Sequence, residues 1–183
     1  FNSQQVLDFF FFFSRHIVDP VLVWDCCAAS GGKSILAYDT FYGKIDLTVS
    51  DIRESILSNL KSRFETAGIK NYKSFIADLT ETDSPQGPAD QLPTPDAQLI
   101  ICDAPCTGSG TWSRTPEQLY YLKRKTIDVY VAMQQQIVSN VIPHLQTGGL
   151  FIYITCSVFK NENEDMVKKK KKKFHLQLLQ MEL

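Results

Sequence analysis

Val21-Leu-Val-Trp-Asp25-Cys-Cys-Ala-Ala-Ser30-Gly-Gly-Lys33-Ser34 decides the fold. Four large apolar residues make a buried strand, small residues make a turn, and an amphipathic segment over Lys33–Phe41 reads as a helix. Small residues let the backbone approach a ligand closely and aim helix N–H groups at it. Outward from this stretch the alternation repeats. Strands are predicted near Leu22–Cys27, Asp46–Ser50, Lys73–Ala77, Gln98–Cys102 and Leu150–Thr155, and helices at Ser55–Ala67 and Glu117–His144. In the long helix Ile127, Val131, Val138, Val141 and Leu145 recur at helical spacing, and Gly148-Gly149 reads as its stop. The pattern predicts an α/β, Rossmann-like sandwich, a mostly parallel sheet of order 3-2-1-4-5 covered on both faces.

The chain has 183 residues, of which 44% are hydrophobic and 21% charged, the balance of one soluble domain rather than a disordered or disulfide-stapled one. Its net charge is −1, and without the run Lys168–Lys173 it is −7. A nucleic-acid partner must therefore be held by a local patch or by another part of a longer protein. The lysine run follows a helix-like stretch that starts near Asn161. It reads as a solvated helix face, with an RNA-contacting patch as the other reading. Phe9–Phe13 and the Pro- and Asp-rich segment Asp83–Pro95 carry no periodicity, the latter reading as a surface loop. No stretch is long enough to span a membrane, no signal peptide is evident, and five cysteines, an odd number, lie on or beside apolar runs. A reduced, cytoplasmic, monomeric protein without metal is expected. The chain starts at Phe1 and stops at Leu183 as a new apolar segment begins, so it reads as a fragment of something longer.

Three ligand classes compete for the first loop. A P-loop requires glycine five residues before Gly32, where Cys27 stands, and the dinucleotide fingerprint fails because only Gly31 and Gly32 are present. A nucleoside ligand without a pyrophosphate remains, and S-adenosylmethionine is the common one. Asp51, twenty residues beyond Gly31 at the end of the second strand, suits ribose hydroxyls. Asp78 suits the adenine end. A packing turn with solvated aspartates is the plain alternative. Three aspartates at successive strand ends, Asp51, Asp78 and Asp103, argue against it.

Asp103-Ala-Pro-Cys106-Thr-Gly-Ser-Gly110 follows the fourth strand and Thr155-Cys156-Ser157 closes the fifth. These strands are expected to be neighbours, so Cys106 and Cys156 should face each other beside the cofactor. A lone cysteine in such a place is ordinarily a small buried hydrophobe, the role expected of Cys26, Cys27 and Cys102. Two thiols beside a methyl donor point to a particular chemistry. Addition of a thiolate to carbon 6 of a pyrimidine turns the ring into an enamine whose carbon 5 can attack a sulfonium methyl. A second thiol helps release the product. Asp103 can hydrogen-bond the ring nitrogen and amino group, and Lys33 offers a cation at the same edge. No Asn/Asp-Pro-Pro-Tyr/Phe tetrapeptide follows the fourth strand, which disfavours methylation of an exocyclic amine.

Together these residues resemble the Sun/Nop2-type RNA (cytosine-5) methyltransferases. Asp25 to Lys33 is similar to that family's cofactor loop and Asp103 to Gly110 to its fourth-strand motif. Thr155 to Ser157 with Glu162-Asn-Glu164 is similar to its fifth-strand motif, and Asn2-Ser-Gln-Gln5 to the stretch before its catalytic core. The resemblance covers roughly residues 2 to 167. It implies Cys156 as nucleophile and Cys106 as the thiol of release. It also implies a cofactor site of Cys27, Ala28, Ala29, Ser30, Gly31, Gly32, Lys33, Asp51, Asp78 and Asp103, with Lys33 and Asp103 reaching the cytosine. DNA enzymes place the nucleophile in the fourth-strand Pro-Cys motif, so the pair favours RNA, and the resemblance implies ribosomal RNA. Ser30 stands where the family usually has proline, which should loosen the turn. The resemblance implies one methyltransferase domain over residues 1–183 that lacks the family's N-terminal RNA-binding region and last strands. A catalytically silent S-adenosylmethionine-binding assembly factor is the alternative function, and a nucleotide hydrolase using Gly-Lys-Ser a distant third.

Overall fold

The computed structural model describes residues 20–81 and 97–178. The expectations for Asn2–Gln5, Phe9–Phe13 and Asp83–Pro95 lie outside them. Strands β1 (Val21–Asp25), β2 (Ile45–Asp51), β3 (Tyr72–Ile76), β4 (Ala97–Asp103) and β5 (Leu145–Ile154) form one sheet of order β3-β2-β1-β4-β5. Every neighbouring pair is parallel. This is the predicted topology, and its order reverses at β1 and β4, where the carboxyl ends of a parallel sheet leave a crevice.

Alternation along the central strands builds two cores. Val21, Val23, Leu99 and Ile101 face α1 (Gly32–Thr40) and α2 (Glu54–Thr66), packing with Ala37, Leu57, Leu60 and Phe64. Trp24, Cys26, Ile100 and Cys102 point the other way, onto Ile137, Val138 and Val141 of α4 (Arg124–Val141). Period-two alternation in strands covered by helices on both faces gives this double burial. Among the described residues no helix is long and apolar enough to cross a membrane.

Two readings of the sequence are corrected here. The helix expected over Glu117–His144 is broken into α3 (Glu117–Tyr121) and α4 by the extended backbone of Leu122 and Lys123, and it ends in a 3₁₀ turn at Ile142–His144. Pro143 sits in that turn, where its missing N–H costs least. Gly148-Gly149 stops no helix. Leu145 already belongs to β5, and the β4–β5 register shifts between Ala97 and Leu99, whose partners are Leu145 and Leu150. The glycines lie in that irregularity, Gly148 with φ +83°. Extra residues on one strand demand such a backbone.

Beyond β5, α5 (Glu164–Phe174) carries the lysine run. Five of its lysines are exposed. Lys170 is buried and donates to the Gln135 carbonyl (2.6 Å) and Ser139 Oγ (2.7 Å), docking α5 on α4. His175 to Leu178 form no strand, and residues 179–183 lie outside the described ones.

Candidate active site

The β1–α1 loop is held open by its own backbone. Ala28 N–H donates to the Ser50 carbonyl (2.9 Å) and Gly31 N–H to the Ala28 carbonyl (2.8 Å). Gly31 has φ +80°, and a Cβ there would lie 2.6 Å from the Phe64 ring, so α2 packs directly beneath the turn. Around Gly32, by contrast, no atom of the described residues lies within 4 Å of such an atom, which leaves the start of α1 open among them. Its first-turn N–H groups have no intrahelical acceptor. Ser30, in the position that loosens the turn, is instead gripped by Arg63, whose Nη1 donates to its carbonyl (2.9 Å) and hydroxyl (2.7 Å).

Beneath the loop, Asp25 is wholly buried and accepts a bond from Ser34 Oγ (2.6 Å) through Oδ2. Its Oδ1 has no partner among the described residues. Burial pushes this carboxyl up to about 7. Asp51, 6% exposed, takes Ala29 N–H on Oδ2 (3.0 Å) and Arg53 on both oxygens (3.0 and 3.2 Å). The carboxylate thus reaches the loop, with the exposed Arg53 guanidinium across its outer face. Asp78 lies just past β3 and caps a turn, accepting from Thr80 N (2.9 Å) and Thr80 Oγ1 (2.5 Å). Cys26, Cys27 and Cys102 bring their sulfurs within 4.8 Å of one another under the loop, and burial holds the Cys26 thiol well above the ordinary cysteine range.

Lys33 and Asp103 join the loop to the fourth strand. The Lys33 Nζ lies 2.5 Å from Asp103 Oδ2, and each side chain is 32% exposed. An ion pair of this exposure contributes little to stability by itself. It places a cation and a carboxylate together on the open edge of the sheet.

Three residues beyond Asp103, Cys106 meets Cys156. Their sulfurs are 3.2 Å apart. Parallel neighbours β4 and β5 deliver both loops to one edge, and Ala104 N–H bonded to the Ile154 carbonyl (2.9 Å) continues the ladder past the strands. Gly110 N–H then donates to the Cys156 carbonyl (2.8 Å), and a Cβ on Gly110 would lie 2.9 Å from that oxygen. Only glycine permits this contact. Cys156 is exposed and Cys106 partly so. Burial, then the neighbouring Cys156 sulfur, push the Cys106 thiol up to about 12. At this separation the two sulfurs can share a proton, with either one as the donor.

A carboxyl group holds both loops. Glu162, 0% exposed, accepts from Thr107 N (3.0 Å), Thr107 Oγ1 (2.6 Å), Gln134 Nε2 (3.0 Å) and Ser157 Oγ. Thr107 follows Cys106 and Ser157 follows Cys156, so one buried side chain sets their spacing. Gln134 Nε2 also donates to the Pro105 carbonyl (2.9 Å), and Asn163 Nδ2 to the Ser157 and Phe159 carbonyls (2.9 Å each). Glu162 stood in a motif without a role, and Thr107, Ser109, Gln134 and Asn163 had none. Gln134 left one trace in the sequence, a polar residue within the apolar stripe of α4.

Comparison with known proteins gives this arrangement a context. The family model 16S rRNA methyltransferase RsmB/F matches residues 17–183. Ribosomal RNA small subunit methyltransferase B of Salmonella paratyphi A is 30% identical over 146 residues, 80% of this chain and 32% of its own length. The protein of the same name from Enterobacter sp. (strain 638) is 28% identical over 145 residues, 79% of this chain and 32% of its own. The chain thus spans about a third of the length of these relatives. Among solved structures, PH0851 is similar with a TM-score of 0.78 and 25% identity, covering 92% of this chain and 36% of that one. NSun6 of Pyrococcus horikoshii, solved with SFG, has a TM-score of 0.73 and 24% identity over 92% of this chain and 40% of its own, a likeness of fold.

Proposed function

Since the chain belongs to the 16S rRNA methyltransferase RsmB/F family, we propose that it methylates carbon 5 of a cytosine in ribosomal RNA through a covalent adduct on Cys156. The observation that carries this reading is the pair of sulfurs 3.2 Å apart, beside the Lys33–Asp103 pair on the carboxyl edge of the sheet.

The residues at that edge suit S-adenosylmethionine. The open backbone at Gly32 and the first-turn N–H groups of α1, which lack an acceptor within the helix, offer donors, and Asp51 offers acceptors for ribose hydroxyls once the exposed Arg53 swings aside. Ala28 and Ala29 keep the loop narrow, and Asp78 supplies the far, adenine end. The bound cofactor supplies an electrophilic methyl group on a sulfonium sulfur. Cys156, exposed and 3.2 Å from the Cys106 sulfur, adds to carbon 6 of the base and makes carbon 5 electron-rich. Asp103 accepts from the amino group while Lys33 balances charge that develops on the ring. Carbon 5 takes up the methyl group; water at this open edge then accepts the carbon-5 proton, the electron pair of that C–H bond re-forms the carbon 5–carbon 6 double bond, and the bond from carbon 6 to the Cys156 sulfur breaks. The Cys106 S–H donates to the departing thiolate, which is the second thiol's part in release. The cytosine must leave its helix to reach this edge.

In this reading residues 1–183 form one catalytic domain acting as a cytoplasmic monomer on RNA, without metal. Incubation with small-subunit ribosomal RNA and methyl-labelled S-adenosylmethionine, followed by digestion to nucleosides, tests it. Label in 5-methylcytidine that disappears with Cys156→Ala is expected. Transfer that survives Cys156→Ala, or no transfer by either form, contradicts it.

A further inference from the structure

We propose that Cys106 and Cys156 also form a peroxide-sensitive pair that closes reversibly into an intramolecular disulfide, a modification site distinct from the methyl-transfer chemistry. The sulfurs stand 3.2 Å apart, about 1.2 Å more than a disulfide bond. Both lie on loops beyond the strand ends, so side-chain rotation closes the gap and the sheet stays in place. The loops cannot drift apart, because the Gly110–Cys156 backbone bond and the Glu162 bonds to Thr107 and Ser157 hold them together. Access selects this pair over the other thiols. Cys156 is the exposed thiol among the five; Cys27 is, like Cys106, partly buried, and Cys26 and Cys102 are buried beneath the cofactor loop.

The chemistry balances with one hydroperoxide. The Cys156 thiolate attacks the O–O bond; an S–O bond forms, and hydroxide leaves and is protonated to water. The Cys106 sulfur then attacks the Cys156 sulfur, the S–O bond breaks, and the Cys106 proton leaves with the hydroxyl group as a second water. Two thiols are oxidised and one peroxide is reduced. A neighbouring thiol also protects: it intercepts the sulfenic acid before further peroxide drives it to the irreversible sulfinic acid.

The test needs neither RNA nor cofactor, so its failure would leave the methyl-transfer reading to its own assay. The reduced full chain is titrated with hydrogen peroxide, remaining thiols are alkylated, and the digest is mapped by mass spectrometry without reduction. Expected is the loss of two of the five thiols, a Cys106–Cys156 cross-link, and full recovery with dithiothreitol. In Cys106→Ser, Cys156 should instead accumulate as a dimedone-reactive sulfenic acid and then as sulfinic acid. The proposal is overturned if Cys156 of the unmodified sequence goes to sulfinic acid without a cross-link. A cross-link among Cys26, Cys27 and Cys102 instead, or no loss of thiols, overturns it as well.

Discussion

Removing the Glu162 carboxyl should cost more than any exposed substitution in the chain, and the cost follows from its four donors. In Glu162→Ala, Thr107 N–H loses the carboxyl oxygen it donates to, and because this N–H is only partly buried the cost sits toward the lower end of about 1–3 kcal/mol. Gln134 Nε2 keeps the Pro105 carbonyl, and the Thr107 and Ser157 hydroxyls keep each other (3.2 Å) and Ser109 (3.3 and 3.1 Å), so each of these three losses is nearer the net value of about 1 kcal/mol. With four losses of about 1 kcal/mol or more each and the space left by the side chain, the destabilisation should be about 4–6 kcal/mol, a fall in melting temperature on the order of 10–20 °C for a chain of this size. Glu162→Gln should recover much of this, because its oxygen still serves the two N–H donors and the two hydroxyls can turn to accept from its amide. The assay is urea denaturation of the three proteins side by side, with methyl transfer measured where each is folded. Glu162 is a positioning residue in this account, so transfer by Glu162→Ala should fall and transfer by Glu162→Gln should be largely restored. A Glu162→Ala protein within about 1 kcal/mol of the parent, or transfer equal in all three, refutes the reasoning.

Two further outcomes follow from the same geometry. Gly110→Ala forces a Cβ onto the Cys156 carbonyl 2.9 Å away, so the Cys156 loop must shift. A modest stability loss of about 1–2 kcal/mol should accompany a much larger loss of methyl transfer, and a melt paired with the transfer assay would show the reverse if the contact were unimportant. Asp25 gives a pH signature. Its carboxyl is raised from 3.8 to about 7 in the folded chain, so between those values the native state binds more protons than the unfolded one. Stability attributable to Asp25 therefore falls as pH rises from about 4 to 7 and levels off above, by up to about 4 kcal/mol. Denaturation midpoints of the parent minus those of Asp25→Asn should decline over pH 5 to 8; a flat or rising difference would contradict the burial argument.

How much of this was legible in the sequence depends on the range of the interactions involved. Strand and helix alternation is local. The run from Val21 to Ser34, the aspartates at the ends of β2 and β4, and the thiols at two strand ends were readable, and the order β3-β2-β1-β4-β5 placed Cys106 opposite Cys156. The Gly148-Gly149 reading failed because glycine marks both helix ends and strand irregularities, and only the partner strand distinguishes them. Leu122 and Lys123 break the long helix without glycine or proline, so nothing local announced it. The Glu162 network joins residues up to 55 positions apart, and the hydroxyls that serve it have no periodicity. Arg53 on Asp51 and Arg63 on Ser30 are likewise pairings that only the folded chain supplies.

The covalent step of the proposed reaction can be caught directly. Cys106→Ala should leave Cys156 able to add to carbon 6 but slow to depart. Mixing this variant with small-subunit ribosomal RNA and S-adenosylmethionine should therefore give a denaturation-resistant protein–RNA adduct whose cross-linked peptide contains Cys156. No adduct, or an adduct that persists when Cys156 is also replaced, would contradict the account.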